Sequence, residues 1–369
     1  MNKYFDRFYD WWKNIDKSIF FLIFILFLLG LFFSLVSTSI IASNKLNTNS
    51  YYFFLKHLVY VGLGIFLILF FSLLDQKILM RLSIILFIIT FITLFLVPLF
   101  GIEVKGSKRW LDLGALPRFQ PIEILKPFFV IVVSLILSLE NKNLYFKYFL
   151  STIVLLPTII LLLSQPDLGQ TLLIISVWLA IIFVSGINLF LFIFFLLTTC
   201  SITSFLIFMV PKFEYIKIRL IAFLNTSDGN NYQADKASDA ISGGGFFGKG
   251  IGEGTLNSRI PEAHTDYIMS VIAEEFGVII VISIILIYLI FSYRVLKKIN
   301  EIENSSVKLI LVGCITIILV QTFIHVGVNI RMFPTTGMTM PFLSYGGSSI
   351  ISISILTGVI LNLTKRKLS

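Results

Sequence analysis

Residues 261–277 read PEAHTDYIMSVIAEEFG, with His264, Thr265 and Asp266 where a polar stretch gives way to a long apolar one. Charge sits where hydrocarbon should begin. An acid at the mouth of a membrane helix is costly enough that it faces a wet cavity or has a partner. Upstream, in FQPIEILKP, Glu123 and Lys126 stand three apart, hence on one helix face where they can pair. If Asp266 approaches that pair across the fold, two acids and one base share a pocket. Burial and a neighbouring acid raise a carboxyl pKa, whereas an ammonium or a helix N-terminus lowers it; such opposed effects suit a general base. Asp266 is the chemical centre on this reading. The plainer alternatives are a first-turn acid complementing a helix dipole, with Thr265 as N-cap, and a Glu123–Lys126 pair that only neutralises itself.

A base needs an electrophile, and several cations could hold an anionic one. Residues 105–127, KGSKRWLDLGALPRFQPIEILKP, cluster Lys108 and Arg109 beside Trp110 and enter a helix through Gln120-Pro121, where proline is well placed. The run ISGGGFFGKGIGEGT fits G-x-x-x-x-G-K over 243–249, but Gly250 stands where a magnesium-binding hydroxyl should be and no strand precedes it. A nucleotide site is rejected; Lys249 among glycines suits an anionic head group or a lid. Arg259 is a further candidate cation. Glu262, His264 and Asp266 lack the i, i+4 histidine pair of zinc helices, so no resident metal is expected. A magnesium ion brought in with a pyrophosphate substrate keeps few protein ligands and fits better. Residues 331–349, RMFPTTGMTMPFLSYGGSS, are dense in Pro and Gly; irregular backbone at membrane depth lines a cavity or is buried in protein, so Ser344, Gly346 and Gly347 are expected against the site.

The elements that carry these residues are apolar helices. The 369-residue chain is 57% hydrophobic and 13% charged, with a mean hydropathy of +0.95. That composition belongs to an integral membrane protein. About ten spans are predicted, at 20–41, 54–74, 78–100, 122–139, 148–163, 168–184, 189–209, 267–293, 307–328 and 348–363. Both termini then lie inside, with tails at 1–18 and 364–369, and inner connections carry Lys77, Arg81, Lys142, Lys147, Arg294, Lys297 and Lys298, as the positive-inside rule asks. The outer loop at 101–121 breaks the rule with its basic excess, which suggests a job. The longer outer segment at 211–264 also carries cations, and its stretch around Lys217 and Arg219 is suited to the membrane surface. The net charge of +9 is thereby a topology signal and not a nucleic-acid footprint. Cys200 and Cys314 fall in apolar runs and read as core residues. One all-α polytopic membrane domain, 1–369, is expected.

Four stretches in order, KGSKRWLDLG with FQPIEILK, then QPDLGQ, then PEAHTDYIMSVIAEEFG, then PTTGMTMPFLSYGGSS, resemble the SEDS family of bacterial cell-wall proteins over nearly the whole chain. The resemblance implies a peptidoglycan glycosyltransferase that polymerises lipid II at the outer face of the cytoplasmic membrane, in the division branch of the family before the elongation branch. It implies a class B penicillin-binding protein as transpeptidase partner, alongside other division proteins and membrane lipids. By resemblance the catalytic acid falls on Asp266 and its acid–lysine pair on Glu123 and Lys126. Substrate-binding candidates are Lys108, Arg109, Trp110, Gln120, Lys249, Arg259, His264, Thr265, Ser344, Gly346 and Gly347. Two rival functions use the same residues, a flippase for lipid-linked precursors and a noncatalytic scaffold for the transpeptidase. A flippase needs a polar route to the inner face, and the inner loops are short and plain.

Overall fold

The computed structural model describes residues 2–45, 51–104, 107–114, 117–140, 142–224, 232–255 and 263–365. Lys105, Arg259, Glu262 and the tail 366–369 lie outside the described residues. In chain order the helices are α1 Asn2–Asn14, α2 Lys17–Lys45, α3 Tyr52–Leu73, α4 Gln76–Phe100, α5 Pro121–Leu137, α6 Leu144–Ser164, α7 Leu168–Val184, α8 Leu189–Met209, α9 Glu214–Leu224, α10 Tyr232–Gly244, α11 Ile268–Phe276, α12 Val278–Glu301, α13 Ser305–Asn329 and α14 Gly347–Leu363. Two short strands, β1 Ile102–Val104 and β2 Ser107–Trp110, form a hairpin between α4 and α5. Among the described residues seven helices are long and apolar enough to cross a membrane (α2, α3, α4, α6, α8, α12 and α13). Helices α5, α7 and α14 have 17 residues each, about 25 Å of rise, at the short end of what spans hydrocarbon.

Those short helices are the interior of the bundle. Thirteen of 17 residues in α5 and fifteen of 17 in α14 are buried, so polar side chains there meet protein and not lipid. Of the long helices α13 joins this interior, with 17 of its 25 residues buried, and the others form the lipid-facing wall; along α8 only Ile207 is buried. Close packing of the interior depends on missing side chains. A methyl on Gly313 of α13 would come within 2.6 Å of Val130 on α5 and 2.8 Å of Ile181 on α7, and one on Gly64 of α3 within 2.5 Å of Ser354 Oγ on α14. Small residues let helix backbones approach where no hydrophobic effect drives them together. At the other end of the same pair, Asn362 Nδ2 donates to the carbonyls of Phe71, Ser72 and Leu74 (2.9, 3.1 and 2.6 Å), so α14 completes the otherwise open C-terminus of α3.

Two expectations change. The predicted span at 267–293 is two helices, because the chain breaks at Gly277 (φ +83°, ψ 169°), a conformation open essentially to glycine alone. Nothing bulkier would fit, since a Cβ there would stand 2.2 Å from the Phe246 carbonyl oxygen. Helix α11 is thus a separate nine-residue piece carrying Glu274 and Glu275, while α12 makes the crossing. The second change is that the described part of 211–264 is mainly helical, α9 and α10, with α10 packed on α11.

Candidate functional site

One cavity of about 580 Å³ collects most of the sequence candidates, bounded by the β hairpin, the N-terminal ends of α5 and α14, the turn before α11, and the irregular segment after α13. Asp266, Glu123, Arg109, Trp110, Gln120, His264, Thr265, Gly346 and Gly347 line it.

Arg109 enters through a strand irregularity. Ile102 pairs with Trp110 and Glu103 with Lys108, which leaves Arg109 as the extra residue of a bulge; bulges re-aim side chains in this way. Its neighbour Lys108 is exposed, whereas Arg109 is held by three acceptors: its Nε donates to Gln165 O at 3.2 Å, an Nη donates to Pro166 O, and Nη1 lies 3.8 Å from Asp167 Oδ1. Asp167 caps α7 through Gln170 N–H (3.3 Å) and accepts from Gln120 Nε2 (2.9 Å). Burial pushes the Asp167 carboxyl above its usual range, against the pull of the Arg109 guanidinium and the Gln170 amide.

Glu123 faces the cavity and Lys126 stands behind it, fully buried, with Nζ 2.8 Å from Glu123 Oε2 and donating to Gln321 Oε1 at 3.0 Å. Gln170 Nε2 donates to Glu123 Oε1 at 2.5 Å. The two glutamines join the pair to α7 and α13, so a buried cation and a buried anion are each satisfied by a second partner, as low dielectric demands. Gln321 then donates to the Thr339 carbonyl at 2.9 Å, anchoring the irregular segment.

That segment is stitched down throughout. His325 Nδ1 contacts Met338 O at 2.8 Å, Ser344 Oγ donates to Thr265 O at 2.6 Å, Tyr345 N donates to His264 O at 3.1 Å, and Tyr288 donates to Pro341 O. Ser344 is buried and acts as this brace, outside the cavity lining. Asn329 Nδ2 donates to the Asp266 carbonyl at 3.2 Å, and its Oδ1 accepts from the Ser270 amide and hydroxyl, which pins the turn carrying Asp266 to the first turn of α11. A methyl on Gly337 would sit 3.5 Å from Asp266 Oδ2 and 3.9 Å from Arg109 Nη1, so the loop brings its backbone between the acid and the guanidinium.

The lining combines guanidinium groups with aromatic rings. Arg118 and Arg219 join Arg109, and among the described lining residues the acids are Asp266 and Glu123. Arg219 reaches in from α9, donating to Thr335 O at 3.2 Å. The Tyr267 hydroxyl is pushed above its usual range first by burial and then by Asp266, while Arg219 pulls it back; both charges therefore act on one neighbour. Tyr60 and Tyr345 line the cavity with His264, and burial together with Tyr60 pushes the Tyr345 hydroxyl up to about 12. Arg219 was legible only as a surface cation, and Tyr60 gave no sequence signal.

Three candidates are elsewhere or unseen. Lys249 pairs at 2.9 Å with the fully buried Glu274, near the C-terminal end of α11 and outside the lining, Lys108 is exposed, and Arg259 is outside the described residues. Among the described residues no group of three or more His, Cys, Asp or Glu is arranged to hold a metal ion.

The sequence profile of the FtsW, RodA and SpoVE cell cycle proteins matches residues 16–368. A probable peptidoglycan glycosyltransferase FtsW of Caulobacter vibrioides is 29% identical over 369 residues, covering 97% of this chain and 91% of the relative. Another, from Hydrogenovibrio crunogenus, is 36% identical over 288 residues, 75% of this chain and 72% of the relative. Among solved structures, a chain from work on the structural coordination of polymerization and crosslinking by a peptidoglycan synthase complex is 26% identical (TM-score 0.78, 95% of this chain and 97% of that one). The rod shape determining protein RodA of Thermus thermophilus is 25% identical (TM-score 0.71, 95% and 96%).

Proposed function

The chain belongs to the FtsW, RodA and SpoVE family of cell cycle proteins, and from that membership and the charged cavity we propose a multi-pass peptidoglycan glycosyltransferase that polymerises lipid II. Its relatives' names support the activity and a role in division. The observation that carries the chemistry is the pairing, in one cavity, of two wall acids with three guanidinium groups.

In this reading Asp266 takes the proton of the acceptor sugar hydroxyl as that oxygen attacks the anomeric carbon of the donor. One C–O bond forms and the bond to the polyprenyl pyrophosphate breaks; the proton rests on the Asp266 carboxyl and the electron pair leaves with the pyrophosphate. Charge developing there is met by Arg109, whose acceptors hold it in place before substrate arrives, with Arg118 and Arg219 in the same lining. Glu123, fixed by Lys126 and Gln170, supplies the second negative wall group and positions the acceptor. Trp110, Gln120, His264, Thr265, Gly346 and Gly347 shape the space for sugar, and Tyr60 and Tyr345 offer it aromatic faces. A divalent cation would come with the pyrophosphate, which gives it phosphate oxygens that the two wall carboxylates alone could not replace. Lys108 is suited to the phosphates of surrounding lipids.

The same reading puts the protein in the bacterial cytoplasmic membrane, at the septum, with the cavity outside, working with a class B penicillin-binding protein and other division proteins. The complex of polymerization and crosslinking to which it is similar supports such a partner.

The test is polymerisation of labelled lipid II by the purified protein with its cognate transpeptidase, crosslinking blocked. Asp266→Asn is expected to lower glycan synthesis about 100-fold or more, with an unchanged thermal melt. Synthesis at the wild-type rate by that variant would remove Asp266 from its role. No glycan from wild type would leave the fold to flipping or scaffolding.

A further inference from the structure

The glycine-rich turn after α10 takes no part in the cavity, yet it presents a strongly exposed aromatic pair. Phe246 is 72% exposed, Phe247 84% and Ile251 64%. Three apolar side chains on an irregular turn are not explained by the helical lipid-facing wall.

The turn is firmly built beneath them. Gly248 N donates to Gly244 O, Lys249 N to Glu274 O and Gly250 N to Glu275 O, while Val278 and Ile279 amides donate back to the Gly245 and Phe246 carbonyls. A Cβ on Gly248 would stand 2.2 Å from Glu275 O, so the glycines serve close backbone contact with α11 and not a nucleotide. Lys249 folds back onto Glu274. Backbone groups satisfied in this way can sit at the edge of hydrocarbon, where free ones could not.

Depth follows from the helices beside the turn. On α12, nineteen residues separate the junction from the basic cluster at Lys297 and Lys298, a rise of about 28 Å. On α2, Phe32 and Phe33 pack on Phe276 with ring centroids 5.7 and 5.3 Å away, and they stand fifteen and sixteen residues from Lys17, about 23 Å. Both measures start at the basic, inner boundary of a layer about 30 Å thick. The turn bonded to Val278 and Ile279 therefore lies at the outer rim of the hydrocarbon.

We propose that Phe246, Phe247 and Ile251 form a lipid-inserting tip, seated among the acyl chains and glycerol backbones of the outer leaflet. Aromatic rings favour that interface. Because the turn is bonded to α11, the tip holds at bilayer depth the short helix that follows Asp266.

A nitroxide at Phe247→Cys or Ile251→Cys, in full-length Cys200→Ser/Cys314→Ser protein in phosphatidylethanolamine–phosphatidylglycerol nanodiscs, reports depth directly by power-saturation spectroscopy. Both positions accept change because both are exposed. The expected result is collision with oxygen exceeding collision with the water-soluble nickel complex at both sites, and the reverse at Lys108→Cys on the outer hairpin. Nickel access equal to or above oxygen access at 247 and 251 would overturn the proposal. So would shielding from both relaxers, which marks a contact with a second copy of the chain. So would lipid-like access that disappears when the transpeptidase is added, which marks a partner surface. None of these outcomes depends on whether the protein polymerises lipid II.

Discussion

Lys126 is a cation with no exposure to solvent, and its two acceptors, Glu123 and Gln321, are what permit that. Breaking a buried pair from one side strands the other charge, at a cost of about 3–5 kcal/mol, whereas removing both can be nearly neutral. Lys126→Met is therefore expected to lower the melting temperature in detergent sharply, and Glu123→Gln/Lys126→Met to recover most of the loss. Equal melts for the two variants would mean that the pair has no structural share. Sequence spacing alone found this pair, since i and i+3 fix a helix face. Asp167 and Gln170 were visible in the QPDLGQ stretch, whereas their contacts with Arg109, Gln120 and Glu123, and Gln321 altogether, were not, because one sequence does not say which segments are neighbours.

At the scale of elements, the spans were legible from apolar run length, and the one misread span shows the limit of that signal. Residues 267–293 are mostly apolar apart from Glu274 and Glu275, so hydropathy runs straight over Gly277. What breaks the helix is a backbone conformation and the Phe246 carbonyl beside it, neither of which hydropathy senses. Gly277→Ala is expected to cost on the order of 1–3 kcal/mol in backbone strain alone, and the contact with Phe246 adds to it. Hydrogen exchange over 243–276 should rise while the rest of the bundle stays protected. Gly62→Ala on α3, where a methyl meets nothing within 4 Å, serves as the control and should be neutral or slightly stabilising. Loss of protection in both, or in neither, would remove the junction from its role. The cavity was legible in its motifs, which the fold brings together, but Arg219 was not, because a cation on an amphipathic helix looks the same whether it faces lipid phosphate or a pocket.

For the whole molecule, the decisive statement is sidedness. Lys365 follows α14 and donates to Ser72 O, and burial lowers its pKa to about 8, partly offset by Asp75. It therefore reaches half neutral amine near pH 8 and should acylate readily there. In right-side-out vesicles a membrane-impermeant amine reagent is expected to modify Lys108 and spare Lys365, with Lys365 reacting once the vesicles are opened. Modification of Lys365 in sealed vesicles would invert the topology and put the cavity on the wrong face for lipid II polymerisation.

The embrace of α3 by α14 also has a consequence in time. Some 270 residues separate the end of α3 from the start of α14, a delay of roughly 15–55 s at ordinary rates of synthesis. During that interval the α3 groove that will receive Ser354 and Asn362 stands unfilled. Ser348, which accepts the Gln120 amide at 3.0 Å, and Gly347, packed against Tyr60, reach the cavity only with α14. A nascent chain thus carries Asp266 before the wall that completes its surroundings has been made.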